Sequence, residues 1–275
     1  MGANPNNIGG QIVAVQATAN ASATSAQTGS AIDRIGFASG KLVISRGAAT
    51  GSPSSQTTDA KLQHSDTTTS GDFVDYFAID PQRAGCYIAD VSGHGVASAF
   101  VTVWLKRFMA TALEAQRQGQ PSAIGDPAQL LAQLNAELLR ERLGKHIAIW
   151  YGVFDLARQN LLCANAGAVP YPLLADASGT RFLEARSTPA GLFDTSDYQN
   201  QTHPLAAQFR LLLCSDGVLE VMPESSGSGR NRRLLDLLAP DCAGLDALLT
   251  RLGIHPEDPH PDDLTLLLIG RDAAG

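Results

Sequence analysis

The chain has 275 residues, 44% of them hydrophobic and 17% charged, which is enough apolar material for one large domain or two small ones and excludes a wholly disordered chain. Twenty Lys and Arg against twenty-seven Asp and Glu leave a net charge of -7, so no general electrostatic pull favours nucleic acid or a membrane surface as partner. There is no basic-then-apolar leader and no apolar run near the roughly 18 residues of a membrane span, so a cytoplasmic protein is expected. The four cysteines, Cys86, Cys163, Cys214 and Cys242, show neither a CxxC pair nor zinc spacing and fit buried thiols in a reducing compartment.

Residues 1–70 stand apart in composition. Of these, 39 are Gly, Ala, Ser or Thr and only seven are Asp, Glu, Lys or Arg. Such a stretch buries little apolar area per residue, which predicts a low-complexity, loop-rich segment over 1–70 with one strand at 41–45, followed by a folded domain over 71–275.

From Gly71 onward, short apolar runs alternate with helical patterns. Strands are predicted at 73–79 and 86–89, joined by the turn Asp80-Pro-Gln-Arg-Ala-Gly85. A helix is predicted over 96–116, with Phe100, Val103, Trp104 and Phe108 on one face. A second helix opens at Asp126-Pro127, an N-cap followed by proline at the first helical position, and carries Leu130, Leu134 and Leu138 before closing at Gly144. Further strands are predicted at 146–154, 160–165, 171–175, 209–215 and 264–269, with a helical stretch over 231–252 interrupted at Pro240. Consecutive strands joined by short turns pair antiparallel, so the fold class is α+β, an antiparallel sheet or sandwich covered by helices.

The chemistry-bearing signal is where certain carboxylates fall. Asp90 directly follows an apolar strand and precedes Val91-Ser-Gly-His-Gly95, a turn whose glycines let backbone carbonyls approach an ion. Asp216 likewise follows Leu211-Leu-Leu-Cys-Ser215 and precedes Gly217, while Asp72 and the pair Asp262 and Asp263 each precede a strand. Folding the first hairpin gathers Asp72, Asp75 and Asp90 at one edge, and antiparallel pairing would bring Asp216 beside Asp262. Four or five carboxylates converging there would repel strongly without a counter-charge. These segments contain no Lys or Arg, so a metal is the natural counter-charge, and all-oxygen ligation points to Mg²⁺ or Mn²⁺ rather than zinc.

Ser70-Gly-Asp-Phe-Val-Asp75, Ile88-Ala-Asp-Val-Ser-Gly-His-Gly95, Asn165-Ala-Gly167, Leu213-Cys-Ser-Asp-Gly-Val-Leu-Glu220 and Pro261-Asp-Asp-Leu-Thr265 stand in the order and approximate spacing of a known family. Over about residues 71–271 the chain resembles the SpoIIE-type branch of the PPM metal-dependent serine/threonine protein phosphatases. The resemblance implies a β-sandwich flanked by helices in α-β-β-α layers, with two Mn²⁺ or Mg²⁺ ions at one end. It implies that Asp90 bridges the ions, that Asp72 and the Val91 carbonyl hold one, and that Asp216 with Asp262 hold the other; Asp263 ranks below Asp262. It further implies phosphomonoester hydrolysis by a metal-activated water, with Asp72, Asp90, Asp216 and Asp262 as the catalytic set. The expected partner is a phosphorylated STAS-domain anti-anti-sigma factor, in control of a bacterial sigma factor, and the same reading admits a homodimer. A phosphatase-like binding module without turnover is the alternative.

Other residues admit plainer roles. His94 can be a general acid or a structural hydrogen-bonding group, and Asp75 a ligand or a supporting carboxylate. Glu220 reads as a loop anchor, His255-Pro-Glu-Asp-Pro-His260 as an exposed loop, and Trp104 and Trp150 as core. Ala168 stands where family members often have His after the Asn-Ala-Gly turn. Residues 1–70 lack the linker helix and strand by which members approach the first motif, and 31–75 faintly resemble phage virion structural proteins. Residues 41–45 are the candidate replacement strand.

Overall fold

The structure, a computed structural model, describes residues 72–93, 96–223, 226–238, 244–254 and 264–271, apart from the side chains of Asp72 and Val96, together with the backbone of four short N-terminal strands. Those four are β1 (Asn7–Ile8), β2 (Ile12–Ala19), β3 (Ser39–Leu42) and β4 (Ala60–Gln63). Then follow β5 (Asp72–Ala78), β6 (Arg83–Val91), α1 (Val96–Arg117), α2 (Pro127–Glu141), β7 (Ile147–Asp155), β8 (Asn160–Ala166), β9 (Leu173–Asp176), β10 (Gly179–Phe182), β11 (Gln201–Pro204) and β12 (Phe209–Cys214). The chain closes with α3 (Gly217–Glu220), α4 (Gly227–Leu237), α5 (Leu245–Leu252) and β13 (Leu264–Arg271).

The strands form two sheets, ordered β11-β8-β7-β6-β5 and β10-β9-β12-β13-β2-β3-β4, with β1 against β2 and every pairing antiparallel. Alternation along the strands sorts the side chains into layers. On β6 and β7, Cys86, Ile88, Trp150 and Phe154 join Leu211, Leu213, Leu267 and Ile269 in the core between the sheets. The intervening Tyr87, Ala89, Ile149 and Tyr151 face α1 and α2. On the far side, Leu212, Cys214, Leu266 and Leu268 pack with Leu234, Leu237, Leu245 and Leu248 of α4 and α5. The result is an α+β sandwich in α-β-β-α layers, as the sequence predicts. Burial on both faces explains why these strands read as continuous apolar runs.

Local signals set the boundaries. The Asp80 carboxylate accepts the N–H groups of Gln82 and Arg83 at 2.9 and 2.8 Å and pairs with the Arg83 guanidinium at 2.7 Å. That side-chain turn lets β6 begin at Arg83, three residues before the predicted start. Asp126 caps α2 by accepting the Gln129 N–H at 3.1 Å, and Pro127 occupies the first helical position. Ser226 caps α4 through the Gly229 N–H, so that helix begins before the predicted 231.

In the N-terminal part, β2 runs alongside β13 from Val13↔Gly270 to Ala19↔Leu264 and extends the second sheet. The sequence reading has no strand there; its candidate at 41–45 overlaps β3, which begins two residues earlier. It also misses β10 and β11, four-residue strands with few apolar side chains.

Phe154 and Phe209 join the two sheets, their rings stacked at 5.9 Å and both fully buried. Phe154→Ala is expected to lower the unfolding free energy by about 3–5 kcal/mol, read from the urea midpoint by tryptophan fluorescence.

Candidate metal centre at the mouth of the sandwich

The first half of the site comes from the β5–β6 hairpin. Its register pairs Asp72 with Asp90, so the two positions share a face. Hydrogen-bond alternation adds detail. Ser92 donates its N–H to the His146 carbonyl at 2.9 Å, and the amide and carbonyl of Ile147 are both used by Ala190. Along β6 the hydrogen-bonded pairs toward β7 are therefore Ser92 with His146 and Asp90 with Ala148, and the backbone polar groups of Val91 face β5. The Asp72–Asp90 pair is then non-hydrogen-bonded, the kind with α-carbons only about 4.5 Å apart. The Val91 side chain is buried under the helices while its carbonyl points to the Asp72 edge.

The second half comes from the other sheet. Asp216 follows β12, is exposed, and begins α3 without using its side chain as a cap. Ser215 fixes that point by donating its N–H to the Thr265 carbonyl at 2.9 Å and accepting the Thr265 N–H on Oγ at 3.0 Å. Continuing the β12–β13 register sets Asp216 level with Leu264, the residue after Asp263.

Asp90 and Asp216 line one narrow depression of about 60 Å³ at the end of the gap between the sheets, with Ile88, Ala148, Ser215 and the loop from Gly167 to Pro170. Asn165 shapes that loop: its side-chain carbonyl accepts the Ala168 N–H at 3.0 Å, and its amide donates to the carbonyls of Ala168 and Ala185 at 3.1 and 2.7 Å. Gly167 has φ +77°, and a β-carbon there would lie 2.7 Å from Pro189. The Asn-Ala-Gly motif thus builds the rim rather than supplying a reactive group. Asn135, buried on α2, similarly holds the next loop, accepting the Gly191 N–H at 2.7 Å and donating to the Phe193 carbonyl at 3.0 Å.

The chemistry of the donor set suits a hard cation: two exposed carboxylates from different sheets share one opening, and a carboxylate position and a backbone carbonyl adjoin it. Among the described residues no three His, Cys, Asp or Glu side chains come together. The side chain of Asp72, and all of His94, Asp262, Asp263 and residues 255–260, lie outside the described residues. Glu220 is exposed at the end of α3. Sequence reasoning finds no cation in the carboxylate segments, but the structure brings one from elsewhere, because Lys145 Nζ donates to the Ser92 carbonyl at 2.9 Å. A larger hollow of about 390 Å³ lies at the opposite end of the first sheet, where Asp80 pairs with Arg83 and Asp155 with Arg158. Its carboxylates are already matched. No helix among the described residues is long and apolar enough to cross a membrane.

The α-β-β-α sandwich is the fold of solved PP2C-type phosphatase domains. The SiaA-PP2C domain of Pseudomonas aeruginosa matches this chain with a TM-score of 0.59 and 26% identity, covering 74% of this chain and 82% of that one. The RsbU and RsbW domains of Rv1364c from Mycobacterium tuberculosis share the fold at TM-score 0.59 and 24% identity, covering 76% of this chain and 57% of that one. The chain belongs to the family of Stage II sporulation protein E (SpoIIE), whose family model matches residues 80–272. It is also 33% identical over 205 residues to the phosphoserine phosphatase RsbP of Bacillus subtilis (strain 168), a match covering 70% of this chain. That match takes in 47% of RsbP, so the chain spans about half the length of this relative. The family match begins at Asp80, after the strand that carries Asp72.

One expected neighbour is not at the mouth. The pleat puts Asp75 on the opposite face of β5 from Asp72, with Phe73 and Phe77 against the helices, where it pairs with Tyr87. Burial pushes the Asp75 carboxyl above its usual range, partly opposed by the Lys106 charge and by the Tyr76 N–H, which donates to it at 2.8 Å. Lys106 Nζ sits 4.3 Å from the centre of the Phe73 ring, and burial lowers the pKa of that ammonium, with Asp75 opposing. A carboxyl raised on folding stabilises the protein fully below its unfolded value of 3.8, and that contribution is lost as pH rises through the folded value. Asp75→Asn lacks this loss, so its unfolding free energy relative to the parent is expected to improve between pH 4 and pH 7 in urea titrations. A difference that is constant with pH would remove Asp75 from the buried cluster.

Proposed function

We propose that this chain is a metal-dependent serine/threonine phosphoprotein phosphatase. It would hydrolyse a phosphomonoester with two Mn²⁺ or Mg²⁺ ions held by Asp72, Asp90, the Val91 carbonyl, Asp216 and Asp262. The observation that carries the reading is the convergence of Asp90 and Asp216, from different sheets, on one opening. The ligand set beyond those two rests on the motif resemblance and on the backbone positions of Asp72 and Val91.

When bound, paired divalent ions lower the pKa of a coordinated water and offset charge on the phosphoryl oxygens. The chain's own contribution is placement. Asp90 and Asp216 draw cations to the mouth, the β5–β6 register brings position 72 beside Asp90, and the Asn165 loop shapes the side from which a phosphorylated segment approaches.

A cysteine nucleophile has little support. Burial pushes the Cys163 thiol up to about 12, and burial with the neighbouring Cys163 raises that of Cys86 further. Cys214 borders the depression, but it is buried and packs with the α4–α5 layer. Cys242 lies outside the described residues.

For substrate, the reading is a phosphorylated STAS-domain anti-anti-sigma factor in bacterial partner switching, in the cytoplasm. It is supported by kinship with RsbP and by the fold shared with the RsbU and RsbW domains of Rv1364c. The experiment is hydrolysis of p-nitrophenyl phosphate and of a phosphoserine STAS protein with Mn²⁺. Chelator is expected to abolish turnover, and Asp90→Asn or Asp216→Asn to reduce it by about 100-fold or more. Turnover that survives chelator, or an Asp216→Asn variant as active as the parent, would overturn the mechanism. A folded, Mn²⁺-binding parent with no turnover would make the chain a phosphatase-like binding module.

A further inference from the structure

The turn after Asp90 leaves the sheet in an unusual way. In an antiparallel ladder, the hydrogen-bonded pair Ser92 and His146 would exchange two backbone bonds. Only one is made, from the Ser92 N–H to the His146 carbonyl. The His146 N–H instead donates to Ser92 Oγ at 3.0 Å. The Ser92 carbonyl is thereby released from the ladder and accepts from Lys145 Nζ at 2.9 Å and from Ser98 Oγ at 3.3 Å. Gly93 follows with φ +76°, and a β-carbon there would lie 2.6 Å from Lys145 Nζ. Glycine is favoured by the left-handed backbone, and any larger residue would also displace the lysine ammonium from its place beside the turn.

Each of these bonds acts next to the proposed ligands. The Ser92 carbonyl belongs to the peptide after the one whose carbonyl is Val91's, and Val91 follows Asp90. With its carbonyl already held by an ammonium and a hydroxyl, Ser92 is occupied, while the Val91 carbonyl faces the Asp72 edge. A charge-assisted bond to a backbone carbonyl is stronger than a neutral one, and partial burial of Lys145 protects it from solvent.

We propose that Lys145 is a positioning residue for the metal-binding turn. Its ammonium locks the Ser92 carbonyl, sets the rotation of the turn over residues 91–93, and so holds Asp90 and the Val91 carbonyl in register for a divalent cation. This rests on the metal-dependent reading above. Lys145 stabilises the ligand arrangement from outside it and touches neither metal nor substrate.

The test compares the parent with Lys145→Met, which keeps the aliphatic stem, Lys145→Arg, which keeps the cation, and Ser92→Ala, which frees the His146 N–H to reclaim the carbonyl. Mn²⁺ binding is measured directly by the loss of the free-ion electron paramagnetic resonance signal, beside the urea midpoint without metal and the Mn²⁺ dependence of p-nitrophenyl phosphate hydrolysis. Lys145→Met and Ser92→Ala are each expected to weaken Mn²⁺ binding by about 10-fold or more, with Lys145→Arg recovering most of it. Turnover at saturating Mn²⁺ should fall less than affinity does. Lys145→Met and Ser92→Ala variants that bind Mn²⁺ within twofold of the parent, while Asp216→Asn does not, would overturn the role of Lys145 and leave the phosphatase reading standing. A parent that binds no Mn²⁺ would overturn both. If Lys145→Met unfolds, Ser92→Ala decides by the same readout.

Discussion

Like charges must be held together at the mouth of this sandwich against their own repulsion. Strand register resists that force. β6 pairs with β7 from Arg83↔Asp155 to Val91↔Ile147, and β12 with β13 from Phe209↔Arg271 to Cys214↔Leu266. These strands are buried on both faces, so a slip of one residue would exchange the side chains between the sheets with those under the helices. Trp150 cannot trade layers with Ile149 without a cavity on one side and a clash on the other. The apolar core thus enforces the acidic site: it fixes the register, and the register fixes where Asp90 and Asp216 stand.

That dependence explains what could be read from the sequence. The apolar runs, the Asp126-Pro127 start of α2 and the Asp216-Gly217 step just past β12 are local and mark their elements, whereas Asp90, read as following its strand, is the last residue but one of β6, which runs to Val91. Asp75 shows the limit of counting along a hairpin. It lies three residues from Asp72, but a period of two sends it to the other face, under Lys106 and beside Tyr87. The strand β2 was illegible for another reason: its Ala, Gln and Thr content gives little apolar contrast, and pairing with β13 across the whole chain defines it. Lys145 carries no sequence signal, because its relation to the turn depends on β6 and β7 lying side by side. In the sequence, the glycines after Asp90 suggest room for backbone carbonyls to approach an ion. At Gly93 the positive φ accounts for the glycine, and the space where a β-carbon would stand is occupied by the lysine ammonium.

The mouth is organised by polar groups because apolar packing cannot do that work there. Loops at the open end of a sandwich are bordered by solvent, and their N–H and C=O groups still need partners where they turn inward. Asn165 and Asn135 meet the need with side-chain amides, which donate and accept at once and so fix a loop in direction as well as distance. Ser92 and Ser215 serve the same need with single hydroxyls, Ser92 accepting the N–H of His146 just before β7 and Ser215 that of Thr265 on β13. The residues at the loop tips, Val169 at 60% exposure and Phe193 at 51%, are consequently free of any structural duty to be buried. The described loops at the mouth are thus set by hydrogen bonds made within the chain. In the reading proposed above, loops fixed in this way would let charged groups meet a developing charge without first rearranging, provided the bonds that set the turn at Asp90 remain made.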